Sequence, residues 1–280
     1  MRPHSIIFSV LENRSYLPSA DRVSVLIASV LLTFALTRLI QSPRLTLTVT
    51  LPGFYFAYPL TLAAAMTTLA AALTATGMDW LTRAHPTLGQ KSNLEYLMLP
   101  TLTAFVIGAP LAALPNGAVL LVGFAFGAIL LASVFLAEYI AIDPSAPSYA
   151  FARAGLTALA YALFLILAVS LRFSGARMFL LTPIIFIAVG LISLRILRLD
   201  DAQRWNFHWA FGAGVVCAQI GAGLHYWSLT PIQFGLALVG PLYALTMLSA
   251  NLAENIPLRR AALGPAVVVG LALVSAIFLK

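Results

Sequence analysis

The 280-residue chain consists of apolar runs of about twenty residues, each separated from the next by a short polar or turn-forming segment. Nothing else in it constrains the fold so tightly. A helix needs about 20 apolar residues to cross the roughly 30 Å hydrocarbon core of a bilayer, where backbone N–H and C=O groups must be satisfied without water. Nine runs meet that requirement, near 23–41, 53–77, 95–114, 117–141, 152–172, 177–197, 206–227, 231–251 and 261–279. The expected fold class is therefore an all-α integral membrane protein with about nine transmembrane helices. A segment 1–22 precedes a single transmembrane domain over 23–279. Composition agrees: 61% of residues are hydrophobic and only 9% are charged, too few charges to coat a water-soluble domain of this size.

The breaks are as informative as the runs. Leu114-Pro115-Asn116-Gly117 divides an apolar stretch too long for one span, and Ser228-Leu229-Thr230-Pro231 divides another; both read as tight helical hairpins. Between the first two runs, Leu45-Thr46-Leu47-Thr48-Val49-Thr50-Leu51 alternates apolar and Thr residues. That is a strand pattern, expected as an extended segment on the outer surface. The first run is longer than a signal-peptide core and lacks a small-x-small exit, so it reads as a span rather than a cleaved signal. Spans three–four and seven–eight each place a Pro at the outer turn and a Glu 23 residues later, Pro115 to Glu138 and Pro231 to Glu254. A parallel internal repeat would produce this spacing, although little else aligns at that offset.

Charge sets an expected orientation. Of the 16 Lys and Arg, five (Arg38, Arg44, Arg172, Arg177 and Lys280) fall on the side opposite the N-terminus, and the other eleven fall on the N-terminal side together with all nine acids. The positive-inside rule then places the N-terminus in the cytoplasm and the C-terminus outside. The formal charge of +7 does not indicate nucleic acid, because the basic residues are scattered in ones and twos between apolar runs rather than gathered on a face. Membrane lipids are the partners such flanking cations fit, and other membrane subunits are the further partners considered.

Ionisable groups deep in a membrane are functional by default, but the runs carry none at mid-span. Glu138 and Glu254 come late in their helices, and Arg38 and Arg172 near helix ends, where anchoring at the interface accounts for them. A candidate polar cluster can nevertheless be drawn from Asp79, Glu138, Tyr139, Asp143, Arg153, Gln219, His225 and Glu254, with Arg195 as a further cation. Span seven is distinctive: Ala210, Gly214, Ala218 and Ala222 recur every four residues, a small-residue stripe that lets another helix approach closely. Gln219 near its middle needs a hydrogen-bond partner on another helix, or else lines an outward-facing cavity with His225. Cys217 reads as a packing residue in the same span.

No cofactor is expected. His208 and His225 are the histidines within spans, and they lie about 25 Å apart along one helix, too far to share a haem. A retinal Schiff base would need a mid-membrane Lys, whereas Lys91 falls in a connection and Lys280 at the end of the chain. Phosphate-loop, zinc-protease and serine-hydrolase signatures are absent, and Phe173-Ser174-Gly175-Ala176 reads as a helix-end turn.

Three groups of residues carry a resemblance. They are Thr76-Gly77-Met78-Asp79-Trp80 through His85-Pro86, Ala137-Glu138-Tyr139 with Asp143-Pro144, and His225-Tyr226-Trp227-Ser228-Leu229-Thr230-Pro231 with Gly235-Leu236. Together they resemble an uncharacterised family of bacterial multi-pass membrane proteins, a domain of unknown function. The resemblance runs the length of the chain and implies a bacterial inner-membrane location; it supplies no substrate. The residues favour a non-catalytic component or accessory subunit of a membrane complex. A small-solute or lipid transporter is the first alternative, and an enzyme acting on a lipid headgroup or polyprenyl phosphate the second.

Overall fold

The computed structural model describes residues 17–40, 45–51, 54–89, 92–200, 205–254 and 256–278. Most of the segment 1–22, together with Lys91 and Lys280, lies outside the described residues. Among the described residues nine helices follow one another: α1 (Ala20–Leu39), α2 (Leu62–Thr82), α3 (Leu94–Ala113), α4 (Ala118–Ile140), α5 (Tyr149–Phe173), α6 (Met178–Asp200), α7 (Phe207–His225), α8 (Pro231–Ala253) and α9 (Leu258–Phe278). All except α2 are among eight helices long and apolar enough to cross a membrane. The helix α2 is of spanning length but carries several threonines and Asp79; Thr67, Thr68, Thr74 and Thr76 turn their hydroxyls back onto carbonyls of the preceding turn, which satisfies them without water.

Eight of the nine expected spans agree with the helices within three residues at each end. The second does not. Phe54–Leu60 is a strand, so α2 begins at Leu62 rather than at 53. The expected extended segment is β1 (Leu45–Leu51), and it pairs antiparallel with β2 (Phe54–Leu60) in a two-stranded hairpin. The aromatic run Phe54-Tyr55-Phe56 reads equally well as the start of a hydrophobic helix. Cross-strand pairing decides the matter, and single-strand hydropathy does not contain it.

The chain divides into two compact units, residues 1–152 and 153–280. In the first, α1 buries Leu26, Val30 and Phe34 along one stripe, and α1 packs on α2, α3 and α4 while α2 packs along α3. The Pro115-Asn116-Gly117 turn joins α3 to α4, with Gly117 at φ +115°, a backbone conformation that suits glycine. In the second unit α6 lies along α7 and α8 along α9. Leu181, Ile185, Val189 and Ile192 of α6 are fully buried. The small-residue face of α7 meets α6 as expected: a Cβ built on Gly214 would sit 3.0 Å from the carbonyl oxygen and ring of Phe186. The hairpin between α7 and α8 closes with a capping box, in which the Thr230 N–H donates to Gln233 Oε1 (2.8 Å) and the Gln233 N–H donates to Thr230 Oγ1 (3.3 Å). The Ser174-Gly175 turn ends α5 with Gly175 at φ +64°, as the sequence reading expects.

One device occurs in both units. Arg38, in the last turn of α1, places Nη2 at 2.7, 3.2 and 2.6 Å from the carbonyl oxygens of Leu111, Ala112 and Leu114 at the C-terminal end of α3. Arg172, in the last turn of α5, donates from Nη1 to the His225 carbonyl (3.0 Å) and from Nη2 to the Trp227 carbonyl (2.9 Å), with Nε 3.4 Å from the Leu229 oxygen at the end of α7. The last carbonyls of a helix lack intrahelical donors, and a guanidinium offers several in a fixed fork. Each arginine, read from sequence as an interfacial anchor, is therefore the C-terminal cap of the helix two places later. In both units the capped helix opens at an Asn N-cap, Asn93 or Asn206, and is followed by a Pro-containing hairpin.

Candidate functional site

The polar residues of the first unit gather where α2, α3 and α4 end or begin, and the connections from 83 to 93 and 141 to 148 supply the rest. Asp79, one turn from the end of α2, is held on both oxygens. Asn93 Nδ2 donates to Oδ1 at 2.6 Å, and Arg83 Nε donates to Oδ2 at 2.8 Å. The same Asn93 amide reaches Thr82 Oγ1 at 3.1 Å. Asn93 occupies the N-cap position of α3 but makes no side-chain cap bond there; its amide instead ties the start of α3 to the end of α2.

His85 sits in the following turn and is 3% exposed. Its Nδ1 lies 2.8 Å from Thr87 Oγ1 and accepts the Thr87 backbone N–H at 3.3 Å. A backbone N–H only donates, so Nδ1 is the acceptor and the neutral ring carries its proton on Nε2. Nε2 is buried and has no hydrogen-bond partner among the described residues. The Tyr139 ring, 5% exposed at the end of α4, meets the imidazole edge-on with centroids 4.6 Å apart. Asp143, in the connection after α4, accepts from the Ser145 hydroxyl (2.6 Å) and the Ser145 N–H (2.9 Å) through Oδ1, a local turn that fixes the carboxylate.

Burial holds the His85 imidazole below the usual histidine range, while the charge of Asp143 acts in the opposite sense. Asp143 is held below the usual carboxylate range, first by the Ser145 hydroxyl and then by its N–H; burial opposes this, and His85 adds a small attraction. The linkage follows from the directions. With the folded histidine depressed, the unfolded chain takes up the proton first, so stability is lost as pH falls below about 6.5. The Asp143 contribution is present at neutral pH and is lost in a lower window, below about pH 4. The melting temperature of the detergent-solubilised protein is expected to drop between pH 7.5 and 5.5, and His85→Phe is expected to flatten that slope. An unchanged slope in the variant would assign the acid sensitivity to other groups.

Of the expected cluster, Asp79 is tied to Asn93, while Tyr139 packs against His85, which also lies within the field of Asp143. Glu138 precedes Tyr139 in α4 and is 0% exposed, so it is buried rather than anchored at an interface. The remaining expected residues belong to the second unit. Glu254 is exposed at the C-cap of α8, and Arg153 is exposed in the first turn of α5. Arg195, the further cation considered, is 3% exposed in α6. Gln219 is exposed at the middle of α7, so it does not turn into the packing of its own unit. The carbonyl of His225 is taken by Arg172, while its Nδ1 is buried without a hydrogen-bond partner among the described residues.

His85, Thr87 and Asn93 are not among the residues singled out for the cluster from sequence. The available signal is a histidine set before Pro-Thr at the end of a helix, where the backbone N–H two residues on can reach the ring. Beside Arg38, a cavity with room for about one water molecule is bounded by Phe34, Thr37, Thr67, Gly108 and Leu111. Among the described residues no group of three or more His, Cys, Asp and Glu is placed to hold a metal ion.

Comparison with curated proteins finds no match, and comparison with solved structures finds none either. A family match covers residues 42–279, from the connection before β1 to just past the end of α9, and so takes in the polar residues of the first unit and the Arg172 cap, while Arg38 lies before it. On that coverage the chain belongs to the family described as protein of unknown function, DUF5656.

Proposed function

We propose that this protein is a non-catalytic component of a membrane complex, docking through the outer face of α7. The carrying observation is the exposure of Gln219 at the middle of a spanning helix. A lipid tail neither donates nor accepts a hydrogen bond, whereas a polar side chain on a neighbouring helix does both. Gly212, Val216, Gln219 and Gly223 follow one another at i, i+4, i+7 and i+11 along that face, and Cβ atoms built on Gly212 and Gly223 meet nothing within 4 Å. A second transmembrane helix fits such a surface: shallow at both glycines, with one amide between them. The acids of the first unit support the non-catalytic reading, because both Asp79 oxygens and Asp143 Oδ1 are committed to neighbouring side chains or turns. The membrane proposed is the bacterial inner membrane, with the N-terminus in the cytoplasm.

Purification in mild detergent from native membranes, with mass spectrometry of what accompanies the chain, is the test. A stoichiometric membrane partner is expected, and Gln219→Leu is expected to weaken its retention by about 3- to 30-fold, the range for one interhelical hydrogen bond in a membrane. A chain that runs alone would overturn the proposal. The arginine cap that recurs in both units favours a second reading, transport of a small solute, since internal repeats are common in transporters. A lone chain that carries a defined solute would support that reading instead.

A further inference from the structure

The hairpin between α1 and α2 divides its residues sharply by face. Directly opposed residues of an antiparallel pair lie on the same face. The register pairs Leu45 with Leu60, Leu47 with Tyr58, Val49 with Phe56 and Leu51 with Phe54. These eight positions form one face and are all aliphatic or aromatic. Thr46 with Pro59, Thr48 with Ala57 and Thr50 with Tyr55 form the other, and Thr48 and Thr50 are exposed. A two-stranded hairpin is marginal in water on its own, so a wholly apolar face of this kind requires a cover.

Three observations identify that cover. First, the hairpin cannot move far from the bilayer. Thr61 alone separates β2 from α2, and residues 40–44 separate α1 from β1, a link of at most about 18 Å when fully extended. Second, Tyr55 and Tyr58 are of a type enriched where hydrocarbon meets headgroups, and Phe54 and Phe56 add apolar rings beside them. Third, the only charged residue from 40 to 61 is Arg44, a cation suited to anionic headgroups and adjacent to the first strand. We infer that the hairpin is an interfacial membrane anchor, laid flat with the Leu45–Leu60 face in the lipid and the threonine face toward water.

The chain has one cysteine, Cys217, so Cys217→Ala gives a background for single-site labelling. Cysteines introduced one at a time at positions 45 to 51 would carry a nitroxide spin label. The variants would be reconstituted in vesicles of phosphatidylethanolamine and phosphatidylglycerol, and collisions with oxygen and with a water-soluble nickel chelate measured. The expected result is a period of two: positions 45, 47 and 49 open to oxygen and closed to nickel, positions 46, 48 and 50 the reverse. Nickel access at every position would overturn the inference by placing the hairpin in water. Closure of 45, 47 and 49 to both reagents would overturn it in favour of a protein cover, either this chain or a second copy. Because the pattern is read over seven positions, one variant that fails to fold does not remove it.

Discussion

Replacing Arg172 by Ala is expected to lower stability by about 2–3 kcal/mol, which is on the order of a hundredfold in the folded-to-unfolded ratio. Arg38→Ala is expected to do the same in the first unit. The α7 helix ends at His225, and the chain then turns through Tyr226 to Thr230 before α8 begins. The carbonyls of His225 and Trp227 take their donors from the Arg172 guanidinium. Deleting the side chain takes the donors from one part-buried and one exposed oxygen, and a hydrogen bond from a charged group contributes about 1.5–3 kcal/mol. Arg172→Lys is expected to fall between wild type and Ala, because one ammonium cannot address carbonyls spread along the chain as a planar fork does. The measurement is unfolding in detergent followed by helicity, for both arginines. Unchanged transitions in the Ala variants would mean that these carbonyls find other donors and that the matched caps contribute nothing to folding.

Gly214→Leu is the second large effect, and it carries its own control. The Gly214 backbone already lies so close to α6 that a single added carbon would stand 3.0 Å from the Phe186 carbonyl oxygen and its ring. A leucine adds three more carbons in the same direction. Overpacking of this kind typically costs 1–3 kcal/mol and more where backbone must move, and here the obstacle includes backbone. Gly212 lies two residues earlier on the same helix, yet an added Cβ there meets nothing within 4 Å. Gly212→Leu is therefore expected to leave the amount of folded protein in the membrane unchanged while reducing partner retention. The two variants separate a face that builds the unit from a face that docks it. Equal membrane levels for Gly214→Leu and wild type would show that the stripe is not a packing face.

Much of this architecture is legible in the sequence, for physical reasons that differ from element to element. Span positions follow from the bilayer, since a twenty-residue apolar run bounded by Pro-Asn-Gly or Thr-Pro has few other solutions. The packing role of Gly214 follows from a four-residue period. The strand Leu45–Leu51 follows from a two-residue period, but its partner does not: Phe54–Leu60 has no polar alternation of its own and joins the hairpin only through register. The arginine caps are illegible for a related reason. A cation near a helix end is equally well explained by lipid headgroups, and the carbonyls it meets are 73 residues away for Arg38 and Leu111. Asp79, Tyr139 and Asp143 are legible as polar residues near helix ends. The histidine that joins two of them is not, because its burial depends on how two connections fold over one another.

That separation of 73 residues also has a meaning in time. Ribosomes extend a chain at about 5–20 residues per second, so Arg38 is made roughly 4 to 15 seconds before the carbonyl of Leu111 exists. Throughout that interval α1 has its arginine without its eventual acceptors, and headgroup phosphates or water must serve. Arg172 waits a shorter time, with 53 residues between it and His225. Each arginine cap can therefore close only after the end of the helix two places later has been made.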